Sequence, residues 1–287
     1  MNQITPLRSA LYLPANRASA VEKARNADCD AVILDLEDAV APEAKAEARA
    51  AAVAAVNEGR FGHRLLAVRV NALDTEWGPA DCAAIAGCDP DAILVPKLCH
   101  PDEAGIYRQQ IGDRAELWAM LETCIAFTRL AEISAKAASA NLTTYVMGTN
   151  DLALEMQARL DTQRTPFLPL LTQAVVNARA HGLKILDGVF NDIADEQGLS
   201  AQCGQGAAMG FDGKTVIHPK QLSAANAAFS PSVDEVSRAQ TIVAAFKLPE
   251  NAGKGVIKVD GRMTEILHLR QAERTLALHD AAIRNST

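Results

Sequence analysis

The sequence predicts a (β/α)8 barrel with a C-terminal helical extension. Three observations predict it: short apolar runs recur eight times, alanine-rich segments with helical spacing lie between them, and a polar residue closes almost every run. Short, nearly continuous apolar strands suit a parallel sheet buried on both faces. Strand and helix alternating eight times is the pattern of an α/β barrel, which takes about 250 residues; the chain has 287. Periodicity alone leaves an open doubly wound sheet as the competing architecture.

Taken in order, the first apolar run is Ala10–Leu13, followed by helical spacing over Ala18–Asn26. Ala31–Leu36 is the second strand, and Pro42–Asn57 the second helix, with Pro42 suited to a first turn. Leu65–Val70, Ala92–Val95 and Leu117–Leu121 are the next strands, and Glu122–Ser139 reads as a helix. Tyr145–Met147 precedes a helix over Leu152–Leu160, and Thr172–His181 is a helix capped by Gly182. Leu183–Leu186 and Thr215–Ile217 complete the eight. After Pro219 the pattern changes. Gln221–Phe229 and Val233–Phe246 read as helices, Pro249–Gly255 as a turn-rich break, Val256–Val259 as a short strand and Met263–Arg284 as a long polar helix. The expected division is a barrel over 1–220 and an extension over 221–287 that packs on the barrel or on a neighbouring subunit.

Composition narrows the function classes. At 49% hydrophobic and 22% charged residues the chain is ordinary globular protein, not collagen-like, disordered or a disulfide scaffold. Lys and Arg total 28 against 35 Asp and Glu, a net charge of −7, and only 4% of residues are aromatic. That lacks the basic footprint and stacking platforms of a nucleic-acid binder. Cys29, Cys82, Cys88, Cys99, Cys124 and Cys203 form no C-x-x-C pair, so they read as free thiols of a reducing compartment. Ser9–Asn16 is too short and too broken for a signal-peptide core, and no run approaches the roughly 18 apolar residues of a membrane span. A cytoplasmic protein is expected.

In an α/β barrel, the side chains that do chemistry sit at the C-terminal ends of the strands. Here those ends carry Asp35, Glu37 and Asp38, then Arg69 and Asn71, Lys97, Glu122, Asp151, Asp187 and His218. Unpaired buried ions cost several kcal/mol each, so such an array favours a polar site at the mouth. Carboxylates outnumber cations, which calls for a hard divalent ion, Mg2+ best. Glu122 and Asp151 lie one β/α unit apart and end neighbouring strands. Plainer roles exist for each: Glu122 as a helix N-terminal acid, Asp151 as an N-cap, Asp35 as a support for Arg69. Arg69 reads as an anion clamp, or as a buried partner of Asp35 or Glu37. Gly210–Thr215 misses the first glycine of a phosphate loop, position 208 being Ala208, and no dinucleotide fingerprint is present.

Arg8-Ser9-Ala10-Leu11-Tyr12-Leu13-Pro14, Asp35-Leu36-Glu37-Asp38-Ala39-Val40 with Lys45 and Arg49, Arg69-Val70-Asn71, Pro96-Lys97, Glu122-Thr123, Gly148-Thr149-Asn150-Asp151 and Gly213–Pro219 follow one another in order. This succession resembles the HpcH/HpaI aldolase and citrate lyase β-subunit family over residues 8 to about 275. The resemblance implies a barrel enzyme that makes or breaks a carbon–carbon bond beside a thioester. It implies Mg2+ on Glu122 and Asp151, Arg69 on the 2-oxo acid or the thioester enolate, and Glu37 and Asp38 holding waters of the ion. It also implies that Gly148 and Thr149 contact the substrate carboxylate, and that Arg17 and Lys23 meet coenzyme A phosphates. A trimer or hexamer is implied likewise.

The family's CoA-thioester lyases carry Asp in a C-terminal Gly-x-Met-x-Asp stretch, delivered from a neighbouring subunit. Here Gly261-Arg262-Met263-Thr264-Glu265 places Glu265 at that position. The extra methylene changes the reach of the expected general base. The expected activity is a malyl-CoA or citramalyl-CoA type lyase releasing acetyl-CoA and a 2-oxo acid. A citrate lyase β subunit acting on a carrier-protein thioester is the alternative enzyme, and a catalytically silent metal- and oxo-acid-binding paralogue the non-enzymatic one.

Overall fold

The computed structural model describes residues 5–286. Leu7–Asn226 form one compact unit, and the chain from Ala227 onward belongs to a second. In the first, strands β1 (Ser9–Pro14), β2 (Ala31–Asp35), β3 (Leu65–Arg69), β4 (Ala92–Val95), β5 (Glu116–Leu121), β6 (Leu142–Met147), β7 (Lys184–Asp187) and β8 (Gly213–Val216) close into a parallel barrel in chain order. Around it run α1 (Ala18–Ala24), α2 (Lys45–Glu58), α3 (Gly78–Ala86), α4 (Glu103–Ile111), α5 (Cys124–Thr128), α6 (Leu130–Ala135), α7 (Thr149–Glu155), α8 (Leu168–Ala180), α9 (Glu196–Met209) and α10 (Leu222–Ala228).

The strands are apolar throughout because both faces are covered. Ala10, Ile33, Ala67, Leu94, Trp118, Val146 and Leu186 share one buried cluster, with Trp118 fully enclosed. Small residues beside one indole let eight strands converge at interior density. Parallel pairing sets Asp35 of β2 level with Arg69 of β3, and that register builds the site described below.

The expected strands all appear, with ends shifted by a few residues. β6 begins earlier than expected because Thr143 and Thr144 do not read as apolar, although Thr144 is buried and Thr143 bonds Glu116 of β5. The helix expected over Glu122–Ser139 is instead α5 and α6, broken at Arg129. It starts only after Thr123, whose hydroxyl accepts from the Ala126 N–H. The helix expected over Leu152–Leu160 ends at Glu155, two residues before Gln157 takes φ +55°.

The second unit contains α11 (Val233–Phe246), an antiparallel hairpin of β9 (Val256–Val259) and β10 (Arg262–Glu265), and α12 (Ile266–Ser286). Ala239, Ile242, Ile257, Val259 and Ala272 form its core. A capping box between Ser232 and Glu235 starts α11. The long helix expected from Met263 therefore begins three residues later. Asp260 and Gly261 both take positive φ, +48° and +78°, the signature of a two-residue hairpin turn, which commits Arg262–Glu265 to a strand. Among the described residues no helix is long and apolar enough to cross a membrane.

Candidate active site

At the C-terminal ends of the strands, Arg69 is the centre of an ion-pair array. Its Nε and Nη2 donate to the two oxygens of Asp35, each at 2.7 Å, and Nη1 lies 2.7 Å from Glu37 Oε2 and 3.4 Å from Asp38 Oδ2. The guanidinium also stacks 5.1 Å from the Tyr12 ring centroid and meets Met120 Sδ at 3.4 Å. Asp35, Glu37 and Arg69 are buried, whereas Asp38 is exposed. Asp35 thus supports Arg69, the plainer of its two expected roles. It further accepts from the backbone N–H groups of Glu37 and Ala39, fixing the loop after β2. A bidentate pair with two further acids holds the guanidinium in one orientation beneath the cavity.

That loop is also held from below. Lys45 on α2 donates to the carbonyls of Leu36 and Glu37 and to Asn71 Oδ1, at 2.7–2.8 Å. Arg49, one turn later, pairs with Asp81 at 2.6 Å, and Asp81 receives the backbone and side-chain N–H of Asn71. The Lys45 and Arg49 motif is therefore a brace for the strand ends.

Glu122 follows β5 directly and is 1% exposed. Its Oε1 accepts the Lys97 backbone N–H at 2.8 Å, while its Oε2 is buried with no hydrogen-bond partner. Gly148 lies against it: a Cβ there would stand 2.4 Å from both Cβ and Oε2 of Glu122. Asp151 sits in the first turn of α7, whose N-cap is Gly148, so it is not the N-cap residue. Burial, reinforced by Glu37 and Asp151, pushes the Glu122 carboxyl up to about 8. Burial likewise raises Glu37 to about 7, with Arg69 opposing it. Burial works against the Lys97 ammonium, but Glu37, 3.3 Å away, and Glu122 together raise it.

A cavity of about 280 Å3 at these strand ends is lined by Tyr12, Asp35, Asp38, Arg69, Met120, Met147, Gly148, Thr149, Asn150, Asp151, Val189 and Ile217, among others, with Glu122 behind Gly148 and not on the wall itself. Among the described residues no group of three or more His, Cys, Asp or Glu side chains is placed to hold a metal. What is present is a carboxylate pair, one oxygen of which is buried and unsatisfied. That donor set fits Mg2+, which binds through one or two carboxylates and retains waters.

A larger cavity, about 720 Å3, opens beside β1 and β8. Tyr12 and Ile217 line both cavities, and Arg17, Lys23, His218 and Ser223 line the larger one. Asp187 departs from expectation. It is 0% exposed and pairs with Arg164 at 2.6 Å and Lys214 at 3.4 Å, and Lys214 also donates to Gln202 of α9. With two buried cations as partners, Asp187 is spent on structure and does not line the mouth. Lys97 was expected at the mouth from its strand-end position, whereas Tyr12 and Met120 were not singled out for the site by spacing. The positive φ of Lys97, +52°, has no sequence signature. Glu265 belongs to the second unit, where it ends β10 exposed, its N–H donating to His268 Nδ1.

Fold and site together define a barrel enzyme whose strand ends gather buried acids around Arg69. The chain belongs to the HpcH/HpaI aldolase/citrate lyase family, whose profile matches residues 8–219. It is 47% identical over 280 residues to a (3S)-malyl-CoA thioesterase of Cereibacter sphaeroides strain KD131, covering 98% of this chain and 97% of the relative. An L-malyl-CoA/beta-methylmalyl-CoA lyase of the same organism is 32% identical over 297 residues, covering 93% of each chain. The crystal structure of CitE from Mycobacterium tuberculosis, in complex with magnesium, acetoacetate and coenzyme A, superposes with a TM-score of 0.77 at 27% identity. The match covers 98% of this chain and 100% of that one.

Proposed function

We propose that this chain is a Mg2+-dependent carbon–carbon lyase that cleaves a 3-hydroxyacyl-CoA thioester of the malyl-CoA kind to acetyl-CoA and a 2-oxo acid, reversibly. The observation that carries the reading is Glu122 Oε2, buried without a partner beneath Gly148, with Asp151 close enough to raise the carboxyl. Glu122 and Asp151 would hold the ion, which when bound supplies Lewis-acid stabilisation of developing oxygen charge. The magnesium, acetoacetate and coenzyme A of the CitE complex support the same pairing of ion, oxo acid and cofactor.

The chain's own residues account for the rest. Gly148 and Thr149 open α7 on the cavity wall; the Gly148 N–H is spent on the Leu121 carbonyl at 3.0 Å, which leaves the Thr149 N–H to meet a carboxylate. Arg69, already oriented by Asp35, stabilises the thioester enolate that forms when the C–C bond breaks. The 3-hydroxyl proton goes to a base, the C–C electrons move onto the thioester, and the enolate is protonated at carbon to give acetyl-CoA. Glu37 and Asp38 order water at the cavity edge. Arg17 and Lys23, on the larger cavity, meet the coenzyme A phosphates. Glu265 is the base, supplied from a neighbouring subunit of a homo-oligomer, a trimer or hexamer. Support for that placement is its exposure in the second unit, beside Met263 and Leu267 at 75% and 56% exposed. The six cysteines are all free, which supports a cytoplasmic setting.

One second reading has a specific observation behind it. The relative at 47% identity is a thioesterase and the one at 32% a lyase, so hydrolysis of the same thioester is the competing reaction. Water would then add to the thioester carbonyl and coenzyme A leave as the thiol. Incubating the purified protein and Mg2+ with malyl-, citramalyl- and citryl-thioesters tests both. Acetyl-CoA with an oxo acid supports the lyase; free coenzyme A with the hydroxy acid supports hydrolysis. Binding of oxo acid without turnover marks the silent paralogue, and preference for a carrier-protein thioester the citrate lyase subunit.

A further inference from the structure

Lys97 follows β4 by one intervening residue and is a non-glycine residue at φ +52°, a conformation that persists where surrounding structure over-determines it and that clusters at functional sites. Here the unusual backbone has a direction. It turns the Lys97 N–H onto Glu122 Oε1 at 2.8 Å, while the ammonium is drawn 3.3 Å from Glu37 Oε1. The other Glu122 oxygen is left buried and unpartnered.

We infer that Lys97 is a positioning residue whose left-handed backbone pins one oxygen of Glu122, so that the other is the oxygen presented to a divalent cation. The inference rests on Glu122 being a metal ligand. A carboxylate on a flexible side chain otherwise samples rotamers in which neither oxygen, or both, face the site. One short N–H···O bond removes that freedom and sets single-oxygen coordination. The backbone does this, not the ammonium, so the two contributions separate by substitution.

The test measures Mg2+ affinity by titration calorimetry, with the fold of each variant checked by circular dichroism. Lys97→Gly keeps the left-handed backbone and loses the ammonium, and is expected to bind Mg2+ within about threefold of the parent. Lys97→Met removes the charge alone and is expected to match it or bind tighter. Lys97→Val, whose branched side chain resists positive φ, is expected to bind at least about tenfold more weakly. Should Lys97→Val not fold, an amide-to-ester replacement at position 97 deletes the N–H alone and carries the same expectation. Equal affinity across Gly, Val and the ester overturns the inference, as does a tenfold loss in Lys97→Met. Glu122→Gln separates the two layers. Loss of Mg2+ binding there with a flat Lys97 series sinks only the positioning role, whereas undiminished binding in Glu122→Gln sinks the ligand assignment beneath it.

Discussion

At Glu122, burial holds the carboxyl near 8 against an ordinary value of 4.5. Between those values the folded, metal-free protein keeps a proton that the unfolded chain releases. Its contribution to stability is therefore complete below about pH 4.5 and is lost as pH rises through about 8. Mg2+ needs the ionised form, so apparent affinity is expected to fall by up to about tenfold per pH unit below pH 8. Calorimetric titrations between pH 6 and 8.5 check this. Melting of metal-free Glu122→Gln across the same range is expected to show a flatter pH dependence than the parent. An affinity independent of pH would remove Glu122 from the ion.

Among the elements, the turn from β6 into α7 carries the most constraint. A methyl on Gly148 would enter the space of Glu122 Cβ and Oε2, so Gly148→Ala has to displace either the acid or the start of α7. Mg2+ affinity in Gly148→Ala is expected to drop at least about tenfold while the circular dichroism of the barrel is retained; an unchanged affinity would show that this turn yields freely. The strands were legible because double-sided burial writes itself as apolar runs, and Arg69, Glu122 and Asp151 because strand ends are where barrels place chemistry. The Asp260-Gly261 hairpin was legible in principle and masked by helical spacing from Met263 onward. Two features had no sequence signal. The direction of Asp187 depends on Arg164 and Lys214 being its partners. The left-handed turn at Lys97 depends on contacts with residues far along the chain.

For the molecule as a whole, the central expectation is that Glu265 serves a neighbour's barrel. Asp151→Ala and Glu265→Gln are each expected to lower kcat by about 10²-fold or more. In oligomers assembled at random from equal amounts of both inactive chains, about one site in four combines an intact barrel with an intact Glu265. Co-expressed chains are therefore expected to recover roughly a quarter of parental activity. No recovery, in oligomers verified as mixed, would show that each chain completes its own site, and a fully active Glu265→Gln chain would show that Glu265 is idle.

The crowding of acids around Arg69 and Lys97 also dictates a sequence of arrivals. Asp35, Glu37, Asp38, Glu122 and Asp151 crowd the mouth around those two cations, with the Lys45 ammonium below the loop after β2. With Glu37 and Glu122 ionised, at and above about pH 8, such a basin draws in a divalent ion and repels a free oxo-acid anion until its own charge has been offset. Initial-rate measurements of the condensation direction are thus expected to show compulsory order, the cation entering ahead of the keto acid, and the preference is expected to relax as added salt screens the basin.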